Sequence, residues 1–541
     1  MMKRQRRQQN TLHNTAAAAV AIGAAAVMAA VLTVPVGAEA GEQTYREIDD
    51  LLSSWEMTRA GERIDDFAQH ASGTPHLSYL QGRHAFYSGD YQRAIDKMDR
   101  ALEAEDHPPW RNYRDTVAAT IEVTDGFERH VSDSGNFEMY VEPGADEVLV
   151  PFALEALEEA YDEIGDVLGH RPDEPVRVEV YPRETTLAEV SALTEENIRT
   201  SGTIALCQYN RLMITSPRAV LRGYSWVDTL IHEYIHLVIN QKTVEDVPIW
   251  MHEGLAKFLE RRWRGDDEHM LAGSSEQLLR ERHEDDDLVT FEDMHPSMAM
   301  LPSQEDAAVA FAQVFTTMEY LHEEVGDGAF ERLLEAIDDG HGARQAYAQV
   351  VGMPWEEFEQ HEWRRFIHHR PLPELPEDGD DVYQQELVFD DEAAGQEGVL
   401  DQVETPEARD HIELGQMLQV RERYGAAAVQ YRKAEEIIGD TNPMLQTRMA
   451  KSFTRSGQPE EAVEALQTVR ELHPYHVSTW LELGRAYEAG GNYHAAREAL
   501  REAARINPFN PEIHELLASV ADALGHGDEA DEARRFARLV G

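Results

Sequence analysis

Cysteine is almost missing from this chain: Cys207 is the only one in 541 residues, so no disulfide framework within the chain can staple the fold. It sits among β-formers and is expected to be a buried strand residue. Basic charge is scarce as well. Against 102 acidic residues there are 49 lysines and arginines, a net charge of −53, and only six of the 49 are lysine. Such an excess excludes nucleic acid as a partner, since phosphates would be repelled. Acid excess with little lysine also suits concentrated salt, where screening relieves the self-repulsion of the surface. On that halophilic reading the melting temperature should rise between low and molar KCl. A flat or falling melting temperature over that range would contradict it.

From 371 to 404 there is no basic residue at all, and prolines and acids dominate, which predicts a solvated acidic linker. A long apolar run does occur at the N-terminus. Lys3, Arg4, Arg6 and Arg7 precede Ala16–Val36, and Ala38-Glu39-Ala40 closes the segment. Basic, hydrophobic and small-residue parts in that order predict a secretory signal over 1–40 and export to the periplasm or the extracellular space. Cleavage after Ala40 would leave −56, because four basic residues and one acid go with the signal. The run is long enough to serve as an anchor if it stays uncleaved, and only then is a membrane a partner.

The C-terminal segment repeats. Gly415, Ala450, Gly484 and Ala518 recur 35, 34 and 34 residues apart, each followed twelve residues later by Ala427, Ala462, Ala496 or Ala530. Small residues at those places let two helices cross closely, and Pro508 ends the best unit, which runs from Trp480 through Leu483, Tyr487, Tyr493, Leu500 and Ala503. The period and pattern resemble the tetratricopeptide repeat, which implies an all-helical array over 405–541 that binds a protein partner. A related unit, with Gly82, Gly89-Asp90-Tyr91, Ala94-Ile95 and Ala101, predicts a helical region over 43–125.

Between these lie strands and the chemistry. Phe137–Val141, Val176–Tyr181 and Arg211–Thr215 concentrate β-formers, and Leu154–Leu168 has helical spacing. Next comes His232-Glu233-Tyr234-Ile235-His236. Two imidazoles four residues apart lie one helical turn apart and can reach one zinc ion at about 2.1 Å, with Glu233 facing the water. Ser225 and Asp228 read as a capping box, and Val227, Leu230, Ile231, Ile235 and Val238 form the stripe that buries the helix. A short loop containing Asn240 and Lys242 is expected next. Pro248 then suits the first turn of a second helix bearing Glu253, a carboxylate embedded among Trp250, Met251, Leu255 and Ala256, where a metal would explain its presence. Should Glu253 not ligate, Glu260 is next in line.

The run His-Glu-x-x-His followed by Pro248-Ile-Trp-Met-His-Glu-Gly-Leu-Ala256 resembles the gluzincin metallopeptidases, and more narrowly their peptidase MA-like members, which often carry tetratricopeptide repeats. The likeness extends over roughly Phe137 to Phe366, including Thr203–Pro217 and Ala310–Leu321. It implies an α+β zincin-like catalytic domain over 130–370, in which a sheet and active-site helices are flanked by all-helical repeats. It also implies one zinc ion on His232, His236 and Glu253, with Glu233 as general base in peptide-bond hydrolysis. An edge strand of the sheet would hold the peptide or protein substrate, for which Gly202–Cys207 is the expected segment. One position departs from the pattern. Where such enzymes carry Ala-Tyr-Ala-Gln, with the tyrosine donating to the developing oxyanion, this chain has Ala310-Phe311-Ala312-Gln313. His252, Tyr320 and Tyr209 are the alternative oxyanion or second-sphere candidates. The competing expectation is a catalytically weak zincin-like domain in a repeat scaffold for protein–protein interaction.

Overall fold

The computed structural model describes residues 39–371 and 405–541, apart from short stretches at 221–223, 244–246, 265–270, 272, 296, 299–300 and 327. The signal segment through residue 38 and nearly all of the acidic linker lie outside the described residues. The chain divides into two compact units: Met1–Pro143 with Ala153–Ser216 and Asp228–Asp380, and Gly144–Phe152 with Pro217–Val227 and Asp381–Gly541.

The first unit opens with five helices, Glu39–Ser53, Met57–Ala71, Pro75–Tyr87, Tyr91–Ala104 and Pro108–Thr124. The repeat-like residues fall where their chemistry requires. Asp90 caps the fourth helix by accepting from the Arg93 N–H, and a Cβ at Gly82 would stand 2.9 Å from the Met98 side chain, which would have to shift to admit it.

A five-stranded sheet follows: β1 (Glu128–Val131), β2 (Phe137–Val141), β3 (Val176–Tyr181), β4 (Ala205–Gln208) and β5 (Arg211–Thr215), in the order β1-β2-β3-β5-β4. β2, β3 and β5 are parallel, and β1 and β4 are antiparallel edges. The three central strands coincide with the segments the sequence marks. The edge strand begins at Ala205 and not at Gly202, because Gly202 takes φ +68° to end the Glu195–Ser201 helix. β4 returns to β5 through Tyr209-Asn210, both with φ near +58°, the geometry of a tight two-residue hairpin.

The helices seat on the sheet through buried charge. Glu179 on β3 is wholly buried. It accepts from the Tyr91 hydroxyl at 2.5 Å, the Tyr181 hydroxyl at 2.5 Å and Arg177 at 2.6 Å, and pairs with Arg211 at 3.2 Å. Arg211 Nη1 in turn donates to the Tyr91 hydroxyl at 2.9 Å. Burial alone would raise the Glu179 pKa, yet Arg211 and Arg177 outweigh it and hold it at about 2.

Among its described residues the second unit contains four helix pairs: Pro406–Val420 with Tyr424–Ile438, Pro443–Arg455 with Pro459–Leu472 (interrupted at Leu466), Val477–Ala489 with Tyr493–Ile506, and Pro511–Leu524 with Gly527–Val540. A Cβ at Gly415 or Gly484 would come within 2.5 Å of Tyr431 or Leu500, which explains the small residues of the period. This unit is larger than 405–541. It takes in Gly144–Phe152 and Pro217–Val227 through Arg535–Glu147 at 2.7 Å, Arg218–Asp146 at 2.7 Å and the buried Trp226 indole, which donates to the Arg505 carbonyl at 2.8 Å.

Candidate active site

The helix Trp226–Lys242 carries His232, Glu233 and His236. Tyr234 turns the other way and meets Phe137 of β2 edge-on at 5.4 Å, so the sheet fixes the helix's rotation and the two histidines face away from it. Asp228 in its first turn accepts from the Trp263 indole at 3.2 Å and from Arg264 at 3.1 Å. Asn240 and Lys242, expected in a loop, remain helical. Lys242 donates to the Gly169 carbonyl, a cation at the helix end where the backbone dipole favours it.

The second helix, Ile249–Leu259, starts directly after Pro248. It lies so close to the long helix Gln304–Val325 that a Cβ at Gly254 would stand 3.0 Å from the Val314 carbonyl oxygen and 3.1 Å from Met318. Glu253 is thereby pressed toward the first helix. Its Oε2 lies 3.3 Å from His232 Nε2 and 3.9 Å from His236 Nε2. One ligand atom from each of His232, His236 and Glu253 lies within 4.8 Å of the others, and all three residues are buried. Both nitrogens of His236 are buried without a hydrogen-bond partner, and the buried Glu233 carboxylate bonds no other side chain, its one polar neighbour besides His232 and Glu253 being the Cys207 backbone N–H. A pocket that converges two imidazoles and a carboxylate while leaving both His236 nitrogens unsatisfied fits a metal ion that these three residues would hold through N, N and O donors.

Its electrostatics point the same way. Burial disfavours charge on His232, but Glu253 and Glu260 more than compensate and push its pKa up to about 9. The two acids therefore hold positive charge at this spot. Glu233 is pushed up to about 8 by burial first and by Glu253, while His232 and the Cys207 backbone N–H on the edge strand pull it down. Burial and then the neighbouring His232 and His252 keep His236 well below its ordinary value.

Glu260 is the residue whose role the sequence does not disclose. Its carboxylate does not converge with the atoms of His232, His236 and Glu253; it accepts from His232 Nδ1 at 2.9 Å and is itself held by Lys257 at 2.5 Å. A proton fixed on Nδ1 leaves the Nε2 lone pair for a metal. Its seven-residue offset from Glu253, two turns along one face, is the signal that could have suggested it. Glu260→Ala should weaken zinc binding by roughly 10- to 100-fold, measured by competition with a chromogenic chelator; unchanged affinity would remove Glu260 from the site.

The oxyanion candidates separate. Tyr320 packs on Phe358 and Phe366 at 5.2 and 5.4 Å. Tyr209 lies against Phe86, Tyr87 and Tyr113 at 5.1 to 5.8 Å. Their rings serve the core. His252 is brought to the site, its ring 5.5 Å from that of His236, and burial pushes its pKa down to about 4. Gln313, beyond Phe311, pins the loop at Val289 by bonding both its N–H and its carbonyl.

Residues 156–369, which contain all these groups, match the family model of the Peptidase MA superfamily. This region belongs to the Peptidase MA superfamily. Residues 447–511 and 481–538 match the tetratricopeptide repeat model. Among curated proteins, the TPR repeat-containing protein YpiA of Bacillus subtilis (strain 168) is 29% identical over 121 residues, 22% of this chain and 28% of that protein. The small glutamine-rich tetratricopeptide repeat-containing protein 2 of Mycosarcoma maydis is 26% identical over 108 residues, 20% of this chain and 30% of that one. The chain thus spans less than a third of the length of these relatives. Similar solved structures include MamA, at 18% identity and TM-score 0.23 over 24% of this chain and 76% of that one. A thermophilic tetratricopeptide protein of Thermus thermophilus shows 23% identity and TM-score 0.23 over 25% and 74%. A Peptidase MA region and tetratricopeptide repeats are thus both present in one chain.

Proposed function

We propose that the chain is an exported zinc metallopeptidase whose repeats recruit a protein substrate or partner. The reading is carried by the buried constellation of His232, His236 and Glu253, with a Glu233 carboxylate beside it that bonds no other side chain. An unsatisfied buried polar group costs about 1–3 kcal/mol, so a group that satisfies several of them at once accounts for the pocket. Bound there, zinc would supply Lewis acidity and lower the pKa of water. Glu233 takes the proton of the attacking water and passes it to the leaving amine. Glu260 keeps His232 in the tautomer that presents Nε2. The edge strand β4, whose Cys207 N–H faces Glu233, supplies a backbone edge along which an extended peptide can lie. Protein purified without added metal, or after zinc loading, should hold about one equivalent per chain by elemental analysis, and His236→Ala well under one. A wild-type value well under one equivalent after loading would overturn the proposal.

Export rests on the N-terminal run of basic, apolar and small residues. Among the described residues no helix is long and apolar enough to cross a membrane. Phe311 favours a second reading, a weak or inactive zincin-like domain within an interaction scaffold, because phenylalanine cannot donate to an oxyanion. Turnover, and not metal content, separates the two.

A further inference from the structure

Hydrolysis of a peptide bond needs a donor for the carbonyl oxygen as it gains charge, and at the position where the resembled enzymes place a tyrosine this chain has Phe311. Tyr209 and Tyr320 have their rings packed in the core, on Phe86, Tyr87 and Tyr113 in one case and on Phe358 and Phe366 in the other. His252 differs from both. It precedes Glu253 on the second helix, its ring lies 5.5 Å from that of His236, and it is nine-tenths buried with Nδ1 lacking any partner among the described residues. No hydrogen bond or ion pair from those residues engages the imidazole, so none offsets the cost of burying its Nδ1. It also lies outside the set of ligand atoms that converge within 4.8 Å, so it does not duplicate His232 or His236.

We propose that His252 is a catalytic residue, the donor that stabilises the tetrahedral oxyanion in this chain, which makes Phe311 compatible with turnover. The inference rests on the metallopeptidase reading above. In the step it serves, the water oxygen bonds to the carbonyl carbon, the C=O π pair moves onto the carbonyl oxygen, and Glu233 receives the water proton. The imidazole N–H donates to that oxygen. On collapse the C=O re-forms, the C–N bond breaks and the proton held by Glu233 goes to the amine; the water's second hydrogen leaves the new carboxyl group for the amine, so the products are a carboxylate and an ammonium group with no other reactant.

The test compares wild type, His252→Ala and His252→Gln for bound zinc, kcat and KM on an unfolded protein substrate such as casein, and affinity for a phosphinic peptide that mimics the tetrahedral state. His252→Ala should retain zinc and KM while kcat falls roughly 10²- to 10³-fold, the usual effect of losing one such donor. Affinity for the phosphinic peptide should fall by a similar factor. His252→Gln, which keeps an N–H at the same reach, should recover part of both. Unchanged kcat in His252→Ala would mark the residue as plain core and overturn the proposal. Loss of zinc in both variants would overturn it too, by assigning His252 to positioning His236. A wild type that binds zinc but cleaves nothing would instead refute the metallopeptidase reading beneath it.

Discussion

Glu233→Gln should leave fold and zinc content intact while lowering hydrolysis about 10²- to 10⁴-fold, the share that a positioned general base contributes. The amide is nearly isosteric with the carboxyl group, and Glu233 is fully buried with neither oxygen bonded to another side chain, so the amide oxygen can still accept from the Cys207 N–H and the fold is kept. Only the capacity to accept the water proton goes. Circular dichroism, zinc analysis and initial rates on one preparation decide the matter. Activity near that of wild type would remove Glu233 from the mechanism.

Glu179→Gln should destabilise the fold more than any of the active-site substitutions, at about 3–5 kcal/mol, because it leaves the buried guanidinium group of Arg211, and the partly buried one of Arg177, without their counter-charge. Arg211 is only 1% exposed and has no route to solvent. Wild type carries a related pH dependence. The folded-state pKa of Glu179, about 2, lies below the ordinary carboxyl value of 4.5. The protons taken up on unfolding therefore make its contribution complete above roughly pH 4.5 and progressively lost as pH falls toward 2. Denaturant midpoints measured from pH 7 to pH 3 should fall for wild type, and the part due to this group should be absent from Glu179→Gln. A variant with the wild-type midpoint at pH 7 would contradict the role assigned to the network.

The three central strands were legible because each concentrates β-formers between turn residues, and the repeats because their small residues recur at a fixed spacing. Glu253 was legible for a different reason: a carboxylate set among Trp250, Met251 and Leu255 is costly unless something claims it. What stayed hidden depends on long-range rotation and pairing. Glu260 touches His232 across 28 residues, and which ring nitrogen it meets follows from how the two helices are turned. Tyr91, Glu179 and Arg211 come together across 88 and 120 residues, and a buried ion pair leaves no periodic trace in the chain. The enclosure of Trp226 beside Arg505, 279 residues away, is of the same kind. An indole at the start of a helix reads as an ordinary apolar residue until its N–H acceptor is seen. The His232 helix runs a few residues into the expected loop because Asn240 and Lys242, polar in sequence, find backbone acceptors at Ser53 and Gly169 while remaining helical.

Peptide-bond cleavage by purified wild-type protein, assayed on unfolded casein with and without a chelator and then with zinc restored, tests the central claim most directly. Cleavage that the chelator abolishes and stoichiometric zinc restores is the expected result. Zinc-replete protein that binds one metal per chain yet releases no fragments, or cleavage that persists at full rate under chelation, would contradict it.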